Sequence, residues 1–141
     1  MIPLPDIDEQ ATIKATREFL AKDYPRYKQL SLSRFATPSL VFDRMPGNKG
    51  DNTNRMERRQ VVGADASAVV DEVEKAVSLM SESNRHLIEL RYFKNVPAYL
   101  VQQRLSITAT PFRHRMHKAL IEFAMIYGIY IVKGEQNEEQ L

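Results

Sequence analysis

Cysteine is absent from this chain of 141 residues. Its absence excludes disulfide bonds, cysteine-ligated zinc sites and a catalytic thiol, and it fits the reducing conditions of the cytosol. No apolar run approaches the roughly 20 residues that a membrane-spanning helix needs. The chain begins with two prolines followed by acidic residues, instead of the basic and apolar regions of a signal peptide. We therefore expect a cytoplasmic protein with no membrane contact.

Sequence motifs for enzymatic chemistry are also missing. Gly47-Asn-Lys-Gly50 does not have the spacing of a phosphate-binding loop, and the chain contains no G-x-S-x-G motif. His114 and His117 lie three residues apart, but no carboxylate shares their predicted helix face, and neighbouring arginines repel a cation. We therefore predict that the protein is not an enzyme and has no catalytic residues, metal site or cofactor.

Positive charge is concentrated in one part of the chain. The net charge of the whole chain is only +2, which by itself says little about binding to nucleic acid. Residues 81–120, however, contain seven lysines and arginines against two glutamates, whereas residues 61–80 and 121–141 are both acidic. A basic segment between acidic ones predicts a surface that meets phosphate.

The basic segment has the pattern of two helices joined by a tight turn. A short helix is predicted from Ala98 to Leu105, and a longer basic helix runs from Ala109 towards Tyr127, with Gly128 as its C-terminal stop. Residues 129–132 are predicted either to lie on the domain as a short extended segment or to contact a second subunit. Thr108 is a suitable N-cap of the longer helix because its hydroxyl can accept a backbone N–H. This is the layout of a helix-turn-helix, whose second helix lies in the DNA major groove. The predicted shared core consists of Val96, Val101, Leu105, Ile107, Phe112, Met116 and Leu120.

The longer helix has an apolar face and a polar face. The residues predicted to point inward are Phe112, Met116, Ala119, Leu120 and Phe123. On the opposite face, Arg113 can form two hydrogen bonds with a guanine edge, and Ala109 is small enough to approach a thymine methyl group. The candidates for base contacts are Ala109, Thr110, Arg113, His114 and His117, and those for phosphate contacts are Arg104, Thr108, Arg115 and Lys118. The alternative interpretation is a basic helix face that is only solvated.

The rest of the chain is predicted to contain a helix, a loop and two further helices. The last of these ends at Phe93, and Arg91 belongs to its packing pattern. The first helix runs from Asp8 to about Leu30, with Arg17 on its polar face, and Pro25 is expected to end or bend it. An apolar stripe predicts another helix from Ala64 to Met80. The intervening residues 31–62 are predicted to form a long flexible loop, rich in glycine, asparagine and aspartate. Its candidate phosphate-contacting residues, which alternatively belong to a solvated linker, are Arg55, Arg58 and Arg59.

The predicted fold is therefore mostly α-helical, with a C-terminal helix-turn-helix preceded by an N-terminal helix and a long flexible loop. We expect three regions. The first, 1–62, contains the N-terminal helix and the basic loop, and the second, 63–134, is the helical domain that contains the helix-turn-helix. The third, 135–141, is an acidic disordered tail.

The segment from Glu89 to Leu120 resembles the fourth region of bacterial sigma factors, whose helix-turn-helix reads a promoter element. The likeness lies in Glu89-Leu-Arg-Tyr-Phe93 before the short helix and in Arg115-Met-His-Lys-Ala-Leu120 in the longer one. Two positions depart from the sigma pattern. Gln102 replaces a small alanine where the two helices approach each other, and Ser106 replaces the glycine that supplies a positive φ in the turn.

The chain as a whole resembles the ArpU family of phage transcriptional regulators of Gram-positive bacteria. This resemblance lies in Met1-Ile-Pro-Leu-Pro-Asp-Ile-Asp8 and in Lys118-Ala-Leu-Ile-Glu-Phe-Ala124. It implies a sequence-specific regulator of phage or prophage late genes that binds double-stranded DNA and contacts host RNA polymerase. Such a protein is expected in the bacterial cytoplasm, associated with the nucleoid, as a monomer or a homodimer.

Two other functions fit the same pattern. A phage DNA-packaging protein, such as a terminase small subunit, also carries a helix-turn-helix but assembles into rings, so its size in solution distinguishes it from a regulator. An interaction module that keeps the sigma-like helices for binding RNA polymerase, without reading DNA, is the other alternative. The basic helix face argues against this module, whereas Gln102 and Ser106 leave it open.

Overall fold

A computed structural model describes Leu4, residues 6–35 and residues 49–134. For residues 34, 35 and 49–62 it describes the backbone only. Within these ranges the protein is predominantly α-helical, as predicted, and contains no β-strand. Two π-helical turns, Phe19–Asp23 and Glu89–Phe93, and a 3-10 turn, Leu32–Phe35, interrupt or extend the helices. The helices are α1 (Glu9–Glu18), α2 (Tyr24–Ser31), α3 (Lys49–Ser78), α4 (Glu82–Ile88), α5 (Ala98–Leu105) and α6 (Ala109–Tyr127).

The chain forms two compact units. The first unit combines Met1–Ala21 with Glu74–Leu141, and the second unit is Lys22–Val73. Helix α1 therefore folds together with α4, α5 and α6. A change of composition along the sequence does not reveal such a pairing, because it depends on contacts between distant residues.

The second unit contains α2 and most of α3. Helix α3 begins at Lys49, earlier than the predicted start at Ala64, so the backbone of residues 49–62 is helical. Strong helix formers in Arg55-Met-Glu-Arg-Arg-Gln60 favour this extension. The rest of the predicted loop, residues 36–48, lies outside the described residues, as does the predicted tail, residues 135–141. The buried side chains of this unit include Tyr24, Ala66, Val70 and Val73.

A π-helical turn precedes Pro25, the residue predicted to end or bend the first helix. Proline has no N–H, and its ring clashes with the carbonyl group four residues earlier, which here belongs to Ala21. The α-helical hydrogen-bond pattern stops at Glu18, continues as a π-helical turn over Phe19–Asp23 and resumes in α2, where Pro25 occupies the first turn. The change of hydrogen-bond pattern thus accommodates the proline inside an otherwise helical segment.

The core of the first unit is built around α6. Helix α1 packs against α6, and helix α4 packs against it as well. Phe123 of α6 is fully buried and stacks with Phe19 at a ring-centroid distance of 6.4 Å and with Tyr127 at 5.3 Å. The other buried apolar residues of α6 are Phe112, Met116, Ala119, Leu120 and Ala124, which confirms the predicted inward face. The apolar spacing in the sequence therefore defined this face correctly.

The segments before α1 and after α6 are joined by hydrogen bonds. Asp8 N–H donates to Ile131 C=O at 2.8 Å, and Lys133 N–H donates to Asp6 C=O at 2.8 Å. The Lys133 ammonium also lies 3.6 Å from an Asp6 carboxylate oxygen. Residues 129–132 were predicted either to lie on the domain or to contact a second subunit. The bridge between Ile7 and Val132 shows that this segment lies on its own domain.

Two buried threonines of α1 are expected to respond in opposite ways to replacement by valine. The Thr12 hydroxyl accepts the Ile131 N–H at 2.9 Å, whereas the buried Thr16 hydroxyl has no hydrogen-bond partner in the described part of the chain. Thr16→Val should therefore raise the free energy of unfolding by about 1 kcal/mol, and Thr12→Val should lower it by about 1–3 kcal/mol. Urea denaturation of both variants measures these changes. Shifts of the same sign would contradict the roles assigned to the two hydroxyls.

Among the described residues, no helix has the combination of length and apolar character required to cross a membrane.

Candidate nucleic-acid interface

Helices α5 and α6 are joined by the turn Ser106–Thr108. Helix α5 ends with two backbone hydrogen bonds, from Ser106 N–H to Gln103 C=O at 3.2 Å and from Ile107 N–H to Gln102 C=O at 3.1 Å. This pair of bonds is the Schellman motif, in which the residue after the helix adopts a left-handed conformation. Ser106 occupies that position with φ +54° and ψ +44°. A serine therefore makes the turn for which glycine is the usual residue, and it does so at a conformational cost.

Thr108 is the N-cap residue of α6, as predicted, but its side chain does not cap the helix as predicted. Thr108 is the N-cap residue, with extended backbone angles, and Phe112 N–H donates to its carbonyl group at 3.2 Å. The Thr108 hydroxyl, however, makes no capping hydrogen bond, contrary to the prediction. Its side chain is exposed, where water can satisfy both the hydroxyl and the first N–H groups of the helix.

The predicted shared core of α5 and α6 is confirmed at most of its positions. Val96, Val101, Phe112, Met116 and Leu120 are buried. The remaining two residues, Leu105 and Ile107, are only half-buried, because they lie at the end of α5 and in the turn, where fewer side chains surround them.

The residues predicted to contact DNA lie mainly on the exposed side of these helices. The exposed candidates are Ala109, Thr110, Arg113, His114, Arg104, Thr108, Arg115 and Lys118, whereas His117 is half-buried. Arg55, Arg58 and Arg59 have their backbone in α3, and their side chains lie outside the described part of the structure. The first half of α6 thus presents a continuous basic face that contains no acidic residue.

An open cleft of about 490 Å³ lies beside this basic face. All of its lining residues belong to the first unit, and they come from the end of α1 with the following π-helical turn, from the segment 91–102 and from the first half of α6. Three of the predicted base contacts, Ala109, Arg113 and His117, line the cleft. Arg17 and Arg91 add two further positive charges, and no carboxylate lines this cleft in the described part of the chain.

The electrostatics of the cleft are those of a cluster of positive charges. Burial lowers the pKa of His117 below its ordinary value, and the positive charges of Arg17, His114 and Arg113 lower it further. Burial raises the pKa of Tyr92, although Arg91 and Arg17 partly oppose this change. Burial and the neighbouring positive charges therefore both favour the neutral form of the His117 imidazole.

Arg17 and Arg91 are not among the binding residues predicted from the sequence, although both line the cleft. Arg17 was assigned to the polar face of an N-terminal helix, far along the chain from the basic segment. Arg91 was assigned to the helix before the turn, as part of its packing pattern. Only the contact of α1 with α6 brings Arg17 to the basic face, and no local sequence pattern predicts that contact.

The one acidic residue of α6, Glu122, faces away from the basic face and has a structural role. Its carboxylate accepts hydrogen bonds from the Ser81 N–H at 2.6 Å, from the Ser81 hydroxyl at 3.2 Å and from the Asn84 amide at 3.2 Å. Ser81 is the N-cap of α4, so the negative charge lies at the positive end of that helix. Glu122 therefore fixes α4 to α6 without reducing the positive charge of the interface.

The described residues contain no group of three or more histidine, cysteine, aspartate or glutamate side chains that could hold a metal ion. The resemblance to sigma factors and to the ArpU family stays a prediction. Comparisons of the chain with protein-family models, with curated proteins and with solved structures find no match.

Proposed function

We propose that this protein is a sequence-specific DNA-binding transcriptional regulator, in which α5 and α6 form a helix-turn-helix and α6 enters the major groove. The observation that carries the proposal is the division of α6 into two faces. Its inward apolar face, from Phe112 to Ala124, is buried in the first unit, while Arg113, His114 and Lys118 are exposed on a face without acidic residues. A helix held in this way can enter a groove without unfolding any part of the domain.

The basic face supplies affinity and specificity through different side chains. Arg115 and Lys118 bind backbone phosphates, which fixes the position of the helix and makes binding weaker as salt increases. Arg113, in the second turn of α6, reads a guanine edge through two hydrogen bonds, and Thr110 and His114 contact neighbouring bases. The Ser106 turn sets the direction in which α6 leaves α5, and thereby the bases that these side chains reach.

The biological setting of the proposal comes from the family resemblance. A regulator of the ArpU type implies a phage or prophage gene, a promoter of late transcription as the DNA target, and a contact with host RNA polymerase. A monomer or a homodimer in solution is expected for such a regulator. A ring-shaped oligomer would instead favour a DNA-packaging protein.

Binding of the full chain to DNA tests the proposal. Duplexes from the region around its own gene are compared with random duplexes of equal length, at about 50 mM and about 200 mM salt. We expect one of the gene fragments to remain bound and protected at the higher salt concentration, at which random DNA is released. Weak and equal binding to all duplexes, lost at the higher salt concentration, would contradict a sequence-specific regulator.

A further inference from the structure

We propose that the basic cleft beside α6 holds one phosphate of the DNA backbone, and that Arg17 of the N-terminal helix α1 is a DNA-contacting residue. This inference rests on the proposed function. It adds to the proposed DNA-binding surface a residue that lies outside the two helices of the helix-turn-helix. Helix α1 then has a second role beside packing against α6, because it completes the DNA-binding surface.

The cleft carries positive charge that no carboxylate of the described residues balances. Arg17, Arg91 and Arg113 line it together with His117, and no carboxylate of the described chain does so. The ion pairs found among the described residues, Arg85 with Glu89 and Lys133 with Asp6, involve none of these three arginines. Positive charges held together without a counter-charge repel one another and attract an anion. The cleft therefore has the charge of an anion-binding site.

The two additional arginines lie beside one buried aromatic residue, Tyr92. The positive charge of Arg17 is close enough to the Tyr92 hydroxyl to oppose the rise of its pKa. The guanidinium carbon of Arg91 lies 5.7 Å from the centre of the same ring. Packing against a rigid ring lowers the conformational entropy that a side chain loses when it binds an anion. Arginine also presents paired N–H donors that match two oxygens of a phosphate.

The cleft is open and lies beside the predicted base-reading face of α6. Arg113 and Ala109 belong both to the cleft and to the predicted base-reading face, so a duplex in contact with that face passes beside the cleft. The cleft is open to solvent, as a site for a phosphate linked to two sugars must be. A backbone phosphate therefore fits its charge, its neighbours and its shape.

The test compares two variants of α1 in the full chain. Arg17→Gln removes one of the positive charges that line the cleft. Lys14→Gln removes an equal charge from an exposed position of the same helix outside the cleft. We expect Arg17→Gln to weaken binding to specific and random duplexes alike by about fivefold, the upper end for an exposed ion pair. The slope of log affinity against log salt should fall by about one. Lys14→Gln should leave both quantities nearly unchanged.

Two further measurements separate phosphate binding from a merely structural role of Arg17. Arg17→Lys keeps the charge and should retain most of the affinity, and thermal melting reports whether each variant is folded. The pKa of His117, followed by NMR in the wild-type protein, should rise when a duplex binds, because an anion in the cleft offsets the repulsion from Arg17, Arg113 and His114.

The possible outcomes distinguish this inference from the proposed function. If the wild-type protein binds DNA but the folded Arg17→Gln and Lys14→Gln variants have equal affinities, the phosphate site is overturned and the proposed function stands. An unchanged pKa of His117 on DNA binding would also overturn the site. If the wild-type protein binds no DNA at the lower salt concentration, both proposals fail.

Discussion

Replacing Phe123 with alanine is expected to destabilise the protein by about 3–5 kcal/mol, the usual loss when a large aromatic side chain is removed from a core. The ring is fully buried and packs against both Phe19 and Tyr127, so its removal leaves a cavity where α1 meets α6. Since single domains are stable by only about 5–15 kcal/mol, this variant should unfold at a markedly lower urea concentration.

The matched control for Phe123 is Met125, on the same helix and 50% exposed. Met125→Ala should lower the free energy of unfolding by less than about 1 kcal/mol, because half of its surface already meets water. Equal losses for the two variants would show that α1 and α6 do not form the core described above. A larger loss for Phe123 alone would support the contact that brings Arg17 to the basic face.

Replacing Arg113 with alanine is expected to weaken binding to a cognate DNA site by about 1–3 kcal/mol, which corresponds to about five- to 150-fold in affinity. The side chain is exposed in the second turn of α6, where a groove-bound helix reaches base edges. Discrimination should be relaxed at one base pair, since the two hydrogen bonds of a guanidinium group identify a single guanine. Competition binding with a set of single-base variants of the site measures both effects.

Lys118→Ala is the control for Arg113 because Lys118 is an exposed cation of the same helix that lies outside the cleft. Its loss should weaken binding to all sequences by a similar factor and lower the salt dependence by about one charge. If Arg113→Ala also weakens binding equally on cognate and random DNA, Arg113 contacts phosphate, and the assignment of the groove-facing side must change.

The sequence predicted the features that depend on neighbouring residues. The four-residue spacing of Phe112, Met116 and Leu120 identified the buried face of α6, and Gly128 correctly marked its end, where it adopts φ +98°. Both signals are local, because helix periodicity and left-handed caps involve residues within one or two turns of each other.

The features that the sequence did not reveal depend on distant contacts. Nothing near Arg17 indicates that α1 packs beside α6, and nothing near Glu122 indicates that its carboxylate binds the start of α4. Ser106 illustrates a different limit. Serine disfavours the left-handed conformation, yet the Schellman hydrogen bonds after α5 hold Ser106 in it. These bonds stabilise the turn by more than the left-handed conformation of one serine costs.

Selection of bound duplexes from a random pool shows whether the exposed face of α6 reads base sequence. The full chain is mixed with the pool at about 0.15 M salt, and the retained duplexes are sequenced after several rounds. We expect an enriched motif that contains a guanine, and we expect the Arg113→Ala variant to lose the enrichment of that guanine. Retained DNA with no enriched motif would show that the basic face is only a non-specific phosphate-binding surface.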